Sequence, residues 1–220
     1  MLYYMTWIKK NMQQLRTLCC KEGKILKQIN RTTQTKLNIV RAFMEVLKQK
    51  PAFEIKVSDI TRQANIDRGT FYRYFESKNA LIEDCEEEIL NKIYLARENI
   101  LHHVASVQEF RDNPNIIGPI LTTVEDNLEM IDTLLNRLGD NHFSEKFKTF
   151  LADEGLATIN KYASNKQMFS EKHRELFATS ASSAIIGLIG VWSSRPSDFT
   201  RQDIEEVTSI ISTKGIWGIV

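Results

Sequence analysis

The chain has 220 residues, 42% of them apolar, 26% charged and 9% aromatic, with only 9 Gly and 4 Pro. That composition belongs to a globular protein with a sizeable core and excludes disordered, collagenous and low-complexity chains. A formal net charge of +1 conceals an asymmetry: residues 1–75 carry 15 Lys and Arg against 5 Asp and Glu, a net of +10, while the remainder carries 14 against 23, a net of −9. A basic first third joined to an acidic remainder suits one unit that meets a polyanion and a second that repels it.

The apolar start, residues 1–7, is followed by Lys9 and Lys10, which inverts the order of a secretory signal, and no small-residue cleavage site follows. A cytoplasmic location is expected. Cys19, Cys20 and Cys85 are an odd number, and the adjacent pair is poorly placed to bridge, so a reducing compartment fits them. The longest apolar stretch, residues 184–192, contains two glycines and is less than half of the ~20 residues a spanning helix needs, so no membrane association is expected.

Apolar spacings of three and four recur along the chain, and no alternating run is bounded by turn residues, so an all-α fold of about nine helices is expected. Residues 1–31 form a basic extension whose only apolar stripe is Leu15, Leu18, Ile25, Leu26 and Ile29. From Thr35, the pattern Leu37, Val40, Phe43, Met44 and Leu47 marks a first helix that Lys50 and Pro51 end. A short helix follows over 57–64. Asn65, which tolerates the left-handed conformation, closes it, and Asp67 stands as N-cap of a two-turn helix over 68–75. Two short helices joined by Asn65, Ile66 and Asp67, with Ile66 filling the corner, make a helix-turn-helix whose second helix can enter a major groove. Ser77 caps a long helix over 78–103 with the stripe Ile82, Cys85, Ile89, Ile93, Ala96 and Ile100. Further helices are expected from Asn113 and Pro114 to Gly139, from Ser144 to Tyr162, from Ser170 to Ser194, and from the capping pair Thr200 and Asp203 to Gly215.

Residues 56–82, KVSDITRQANIDRGTFYRYFESKNALI, resemble the DNA-binding region of the TetR family of transcription regulators. Val57, Ile60, Ala64, Ile66, Arg68, Gly69, Thr70, Phe71, Tyr72, Tyr74, Phe75, Lys78 and Leu81 carry the likeness, and residues 187–197 are similar to a common carboxyl-terminal subtype. The resemblance implies an N-terminal three-helix helix-turn-helix domain over 32–77, joined by the long helix to a helical effector-binding and dimerisation domain over 78–220. On this resemblance Tyr72, Tyr74 and Lys78 bind backbone phosphates, Arg68 and Thr70 reach base edges, Arg73 does either, Gly69 allows close approach and Ser58 adds a lesser contact. Phe71 and Phe75, four apart, face the core. Two departures from the family pattern stand out: Lys56 occupies the position of a capping Thr or Ser, so either the cap shifts to Ser58 or a contact is lost, and Tyr74 stands where His is frequent.

A two-turn recognition helix covers few base pairs, so two copies on a pseudo-palindromic operator are expected, as the resemblance also implies. Ser183, Ala184, Gly187 and Gly190, with Ile204, Val207 and Ile211 on the last helix, are the candidate dimer interface, or else pack within one subunit. Phe110, Met130, Phe143, Phe147, Phe150, Tyr162 and Phe177 are the candidate effector-pocket lining, or else plain core. The resemblance implies a repressor released from its operator by a small-molecule effector; the alternative is a co-activator of the same fold that binds a protein partner instead of an operator.

No enzyme is expected. The acidic run around Glu83, Asp84, Glu86, Glu87 and Glu88 spreads around a helix, and the adjacent His102 and His103 point about 100° apart, so neither makes a metal-ligand set. No phosphate loop, Cys-x2-Cys pair or nucleophile elbow is present in the sequence, and no metal or cofactor is expected.

Overall fold

A computed structural model describes residues 24–104, 109, 116–139, 141–162 and 170–211. Among these the chain forms nine α-helices and no strand: α1 (Lys24–Leu47), α2 (Val57–Gln63), α3 (Arg68–Tyr72), α4 (Lys78–His103), α5 (Gly118–Glu125), α6 (Leu128–Asp132), α7 (His142–Tyr162), α8 (Glu171–Ser194) and α9 (Arg201–Ser209). A 3₁₀ turn, Ala52–Glu54, leads into α2, and a π-helical segment, Thr133–Arg137, extends α6.

Helix α1 begins at Lys24, eleven residues before the expected Thr35, and passes without a break through the position set as the end of the extension. Residues 24–34 contain no Gly or Pro to stop it. The apolar stripe that signalled the helix belongs only to its second half, where Ile39, Val40, Phe43, Met44 and Leu47 are buried. Leu15 and Leu18 of the extension lie outside the described residues.

The single helix expected over 113–139 is two helices and a π segment, and Asn113 and Pro114 lie outside the described residues. Asn127 makes the break: its side-chain amide donates to the Thr123 carbonyl at 2.7 Å, taking the place of a backbone partner. The buried Asp132 carboxylate then accepts from Asn136 at 2.9 Å and from Arg137 Nε at 2.6 Å, which holds the wide π turn. Gly139 closes the segment at φ 80°.

The remaining boundaries follow their caps. Ser77 accepts from the Ala80 N–H at 3.1 Å, and Ser170 from the His173 N–H at 3.4 Å. Thr200 and Asp203 form a reciprocal box, with Thr200 N–H to Asp203 Oδ2 at 2.7 Å and Asp203 N–H to Thr200 Oγ1 at 3.2 Å. Helix α7 starts two residues before Ser144, at His142.

One apolar core runs from Phe43 of α1 through Phe71 of α3 and Leu81 of α4 to Phe143 and Phe147 of α7, Trp192 of α8 and Ile204 of α9. The helix-turn-helix is therefore seated on the second half of the chain and not tethered by α4 alone. A Lys48–Glu129 ion pair at 2.8 Å adds a link from the end of α1 to α6. Helix α8 is, among the described residues, the one helix long and apolar enough to cross a membrane by length and composition, with 33% of its most apolar window buried. Counting unbroken apolar runs did not reveal it, because Ser180, Ser182 and Ser183 interrupt the helix ahead of the run that starts at Ala184.

Candidate nucleic-acid interface and effector cleft

The turn between α2 and α3 is built by its backbone. Asn65 takes φ 53°, its N–H donates to Arg62 O at 3.2 Å, and the Ile66 N–H donates to Thr61 O at 3.0 Å, which ends α2 in a left-handed cap. Asp67 then opens α3: Oδ1 accepts the Thr70 N–H at 2.7 Å, and Oδ2 accepts the Thr70 hydroxyl at 2.8 Å. Those bonds to Thr70 hold the Asp67 carboxyl below the usual carboxylate range. Arg73 Nη2 donates to the same Thr70 hydroxyl at 2.7 Å, so Asp67, Thr70 and Arg73 form one chain along the helix.

Phe71 and Phe75 point inward with 0% and 4% exposure, their rings 5.8 Å apart. This rooting leaves Arg68, Gly69, Tyr72 and Arg73 on the exposed side, with Tyr72 54% exposed and edge-on to Phe71. Thr70, Ser58 and Lys78 are half-buried, and Tyr74 packs partly against the core. Gly69 has a local reason to be glycine: a Cβ there would stand 3.1 Å from Asp67 Oδ1 and press on the cap. Lys78 Nζ donates to the Ala52 carbonyl at 2.6 Å, spending one of its three N–H groups inside the protein.

Of the two expectations for Lys56, the structure overturns the first. The cap does not shift to Ser58. Instead the Asp59 carboxylate accepts the Lys56 N–H at 2.9 Å and also pairs with Lys50. The Lys50 ammonium, ahead of that backbone bond, keeps Asp59 below the ordinary carboxylate value.

Between α4 and α7 lies a cleft of about 950 Å³ with Leu90, Tyr94, Leu101, Phe150, Leu156 and Ala157 as its apolar wall. Arg97 bridges its two sides: it pairs with Glu98 at 2.8 Å and with Glu154, and donates to the Glu154 carbonyl at 3.0 Å and the Thr158 hydroxyl at 2.8 Å. Burial raises Glu154 above the usual carboxylate range, and the neighbouring Arg97 works against that rise. Of the seven aromatic and Met candidates, Phe150 lines this cleft. Phe143 and Phe147 do not: they are fully buried core, with rings 5.4 Å apart. Met130 packs partly buried on the core and Phe177 is half-buried on α8. Phe110 and the side chain of Tyr162 lie outside the described residues. The periodic spacing of aromatics located the helices and did not distinguish a core-facing ring from one facing a gap.

The outer side of α8 exposes Leu176, Ser180, Ser183, Ala184, Gly187 and Val191, a continuous stripe at spacings of three and four. Gly190 is half-buried against Asn136. Ile204 is corrected: at 2% exposure it belongs to the core and not to an outer face. Val207 at 43% and Ile210 at 53% are exposed, and Ile211 is half-buried. Cys85 is a buried thiol whose pKa burial pushes up to about 12, which leaves it unreactive at neutral pH.

This all-helical architecture, with a capped helix of five residues, shorter than the expected 68–75, presented outward from a helix-turn-helix, is that of a DNA-binding transcription regulator. Residues 39–85 match the family model for bacterial regulatory proteins of the tetR family, and residues 112–214 match one for a transcriptional regulator C-terminal region. The chain belongs to the TetR family. It is 31% identical over 111 residues to the uncharacterized HTH-type transcriptional regulator YvdT of Bacillus subtilis, covering 50% of this chain and 56% of that protein. It is 30% identical over 69 residues to HTH-type transcriptional regulator EthR of Mycobacterium tuberculosis, covering 31% and 32%. These matches span about half or less of the curated relatives' length. Among solved structures, a TetR transcriptional regulator from Streptococcus agalactiae shares the fold at TM-score 0.56 and 21% identity, covering 86% of this chain and 98% of that one. The dihydroxyacetone kinase operon activator DhaS does so at TM-score 0.54 and 19% identity, covering 84% and 94%.

Proposed function

We propose that the chain acts as a homodimeric repressor that holds a pseudo-palindromic operator and releases it when a small-molecule effector enters the cleft between α4 and α7. The observation that carries this reading is the outward ridge of Arg68, Tyr72 and Arg73 on a helix rooted in the core by Phe71 and Phe75. Arg68 and Thr70 read base edges, Tyr72, Tyr74 and the two remaining N–H groups of Lys78 hold phosphates, and Arg73 and Ser58 add lesser contacts. The division into a 1–31 extension, a 32–77 DNA-binding domain and a 78–220 effector and dimerisation domain is part of the same proposal.

Dimerisation falls to the exposed stripe on α8 with Val207 of α9 and Ile211, two residues past the end of that helix. Ser183, Ala184 and Gly187 allow two backbones to approach closely there. The cleft supports the effector reading through its volume and its mainly apolar wall, and it lies along α4, the helix that follows the recognition helix after a five-residue turn. Occupation favours one position of α4 over another, a population shift that changes the separation of two recognition helices in the dimer.

The test is fluorescence anisotropy of the purified protein on labelled duplexes tiled upstream of its own gene, at several salt concentrations, beside Arg68→Ala and Tyr72→Ala. Tight binding to one duplex that falls with salt and is lost in both variants is the expected outcome. Weak, equal binding to every duplex, unchanged by either substitution, would overturn it in favour of a regulator that acts through a protein partner.

A further inference from the structure

The cleft between α4 and α7 is lined by charge as well as by apolar surface, and its charges do not balance. Arg97, with 14% of its side chain exposed, has both terminal nitrogens engaged inside the protein. Nη1 meets the carboxylates of Glu98, at 2.8 Å, and Glu154, while Nη2 donates to the Glu154 carbonyl at 3.0 Å and the Thr158 hydroxyl at 2.8 Å. Lys146 is likewise engaged by the buried Glu86, at 3.0 Å. With histidines neutral, two cations thus serve three carboxylates, Glu86, Glu98 and Glu154, and the inner wall carries a negative charge in excess. Asp153 and Lys161, exposed at the mouth, carry opposite charges.

The excess resides on two atoms. Glu98 meets Arg97 through Oε1 and Glu154 does so through Oε2, so Glu98 Oε2 and Glu154 Oε1 have no hydrogen-bond partner among the described residues. Burial raises the Glu154 carboxyl, Arg97 works against the rise, and Glu98 and Asp153 add to it. The Tyr94 hydroxyl is raised in the same way, by burial first and then by Glu98 and Glu154. Beyond burial, two groups on opposite helices register the same surplus of carboxylate. The rest of the wall, with Leu90, Tyr94 and Leu101 on α4 and Phe150 on α7, encloses about 950 Å³, room for a molecule with a sizeable apolar body.

We infer that the ligand of this cleft is an amphipathic organic cation, whose ammonium bonds Glu154 Oε1 and Glu98 Oε2 and whose apolar body fills the space between Leu90, Tyr94, Leu101 and Phe150. The inference rests on the effector reading of the cleft. An organic anion meets a guanidinium whose terminal nitrogens are already engaged, and the surplus carboxylate repels it. A neutral apolar ligand displaces water from two carboxylate oxygens and offers them no donor in return. A cation supplies the missing charge and the missing N–H groups together, and the Tyr94 and Phe150 rings add a further attraction.

Three probes share one body and differ in charge: 4-phenylbutylamine, 4-phenylbutan-1-ol and 4-phenylbutanoate. Isothermal titration calorimetry of the full chain at neutral pH is expected to rank them in that order, with the amine about tenfold tighter than the alcohol. Glu154→Gln is expected to weaken the amine by about tenfold and leave the alcohol unchanged, and Glu98→Gln to act in the same direction. Ala157→Trp, which fills the cleft, is expected to abolish binding of the amine. Circular-dichroism melts check that each variant is folded, and the two Gln variants test the same charge from opposite helices. Equal affinities, tighter binding of the carboxylate, binding of none of the three, or an amine affinity indifferent to both Gln variants would overturn the inference. Operator anisotropy with the amine added separates it from the effector reading. An amine that binds, loses affinity in the Gln variants and leaves operator binding untouched upholds the ligand class and overturns the effector role.

Discussion

Glu86 gives the sharpest test of how the two halves are joined. Its carboxylate sits on α4 with 2% of the side chain exposed, held by Lys146 Nζ at 3.0 Å and His142 Nδ1 at 3.3 Å from α7. The two partners are 30% and 67% exposed, so the burial is one-sided. Lys146→Met strips the ammonium from a carboxylate that is 2% exposed. Removing one member of a buried pair costs about 3–5 kcal/mol, and with His142 still present the lower end, about 3 kcal/mol, applies. Glu86→Leu leaves behind two side chains that already reach water and replaces the carboxylate by apolar volume, which costs about 1 kcal/mol or less. At roughly 2–4 °C per kcal/mol for a chain of this size, the melting temperature falls by about 6–12 °C in Lys146→Met and by under about 4 °C in Glu86→Leu. Thermal melts followed by circular dichroism at one fixed protein concentration read the difference. The double variant is expected to lie near Glu86→Leu, because the stranded charge is gone. A Glu86→Leu variant as unstable as Lys146→Met would refute the reasoning and show a pair with a large net stabilising value.

Gly69→Ala places a Cβ 3.1 Å from Asp67 Oδ1, and anisotropy should show weakened DNA binding with little change in helix content, because the cap of α3 must shift while Phe71 stays rooted. Hydrogen bonds from Thr200 hold Asp203 below its ordinary value of 3.8. A depressed folded-state pKa contributes stability above 3.8 that is lost as pH falls through the depressed value, so the gap in denaturant midpoint between wild type and Asp203→Asn should close on acidification. Under the homodimer proposal, Gly187→Arg puts a long cation in the middle of the α8 stripe and should leave monomer alone in sedimentation velocity without altering the melting of the monomer fold, since open space surrounds a Cβ there. Ala157→Trp fills the cleft from the α7 side and should lower operator affinity with no ligand added; unchanged affinity would separate the cleft from DNA binding.

Much of this fold was legible because its helix boundaries carry their own chemistry. Ser77, Asp67, Ser170 and the Thr200–Asp203 pair each supply an oxygen where orphan N–H groups need one, and Asn65 takes the left-handed turn, so sequence position alone implied the bond. The start of α1 was hidden because the pattern Leu37, Val40, Phe43, Met44 and Leu47 begins only in the second half of the helix, and no Gly or Pro within residues 24–34 marks a boundary. The break at Asn127 depends on its side chain competing for the Thr123 carbonyl, and an Asn within an apolar-periodic stretch is as readily read as a solvent-facing residue. At the candidate sites, the outward set of Arg68, Tyr72 and Arg73 followed from the four-residue spacing of Phe71 and Phe75. Phe143 and Ile204 were misplaced for one shared reason: helical periodicity says that residues share a face and does not say what that face meets.

Under the effector reading, the position of Glu86 along α4 makes that helix a lever. It has 26 residues, so it is about 39 Å long at ~1.5 Å per residue. The clamp at Glu86 lies about 12 Å from Lys78, and Leu101 at the far part of the cleft lies about 22 Å beyond the clamp. A ligand that pushes the far arm by about 2 Å therefore swings the near arm by about 1 Å the other way, and doubles that across a dimer. Hydrogen bonds to base edges fail over such distances. The Lys48–Glu129 pair opposes the swing weakly, since its side chains are 42% and 62% exposed and screened by solvent. The core around Phe43, Phe71 and Leu81 ties α1 to α3 to the near arm, and its continuation to Phe143, Trp192 and Ile204 opposes the swing more strongly than the ion pair does. Loosening the fulcrum with Lys146→Met thus costs stability and leverage together, whereas filling the cleft with Ala157→Trp acts on the arm and leaves the fulcrum in place.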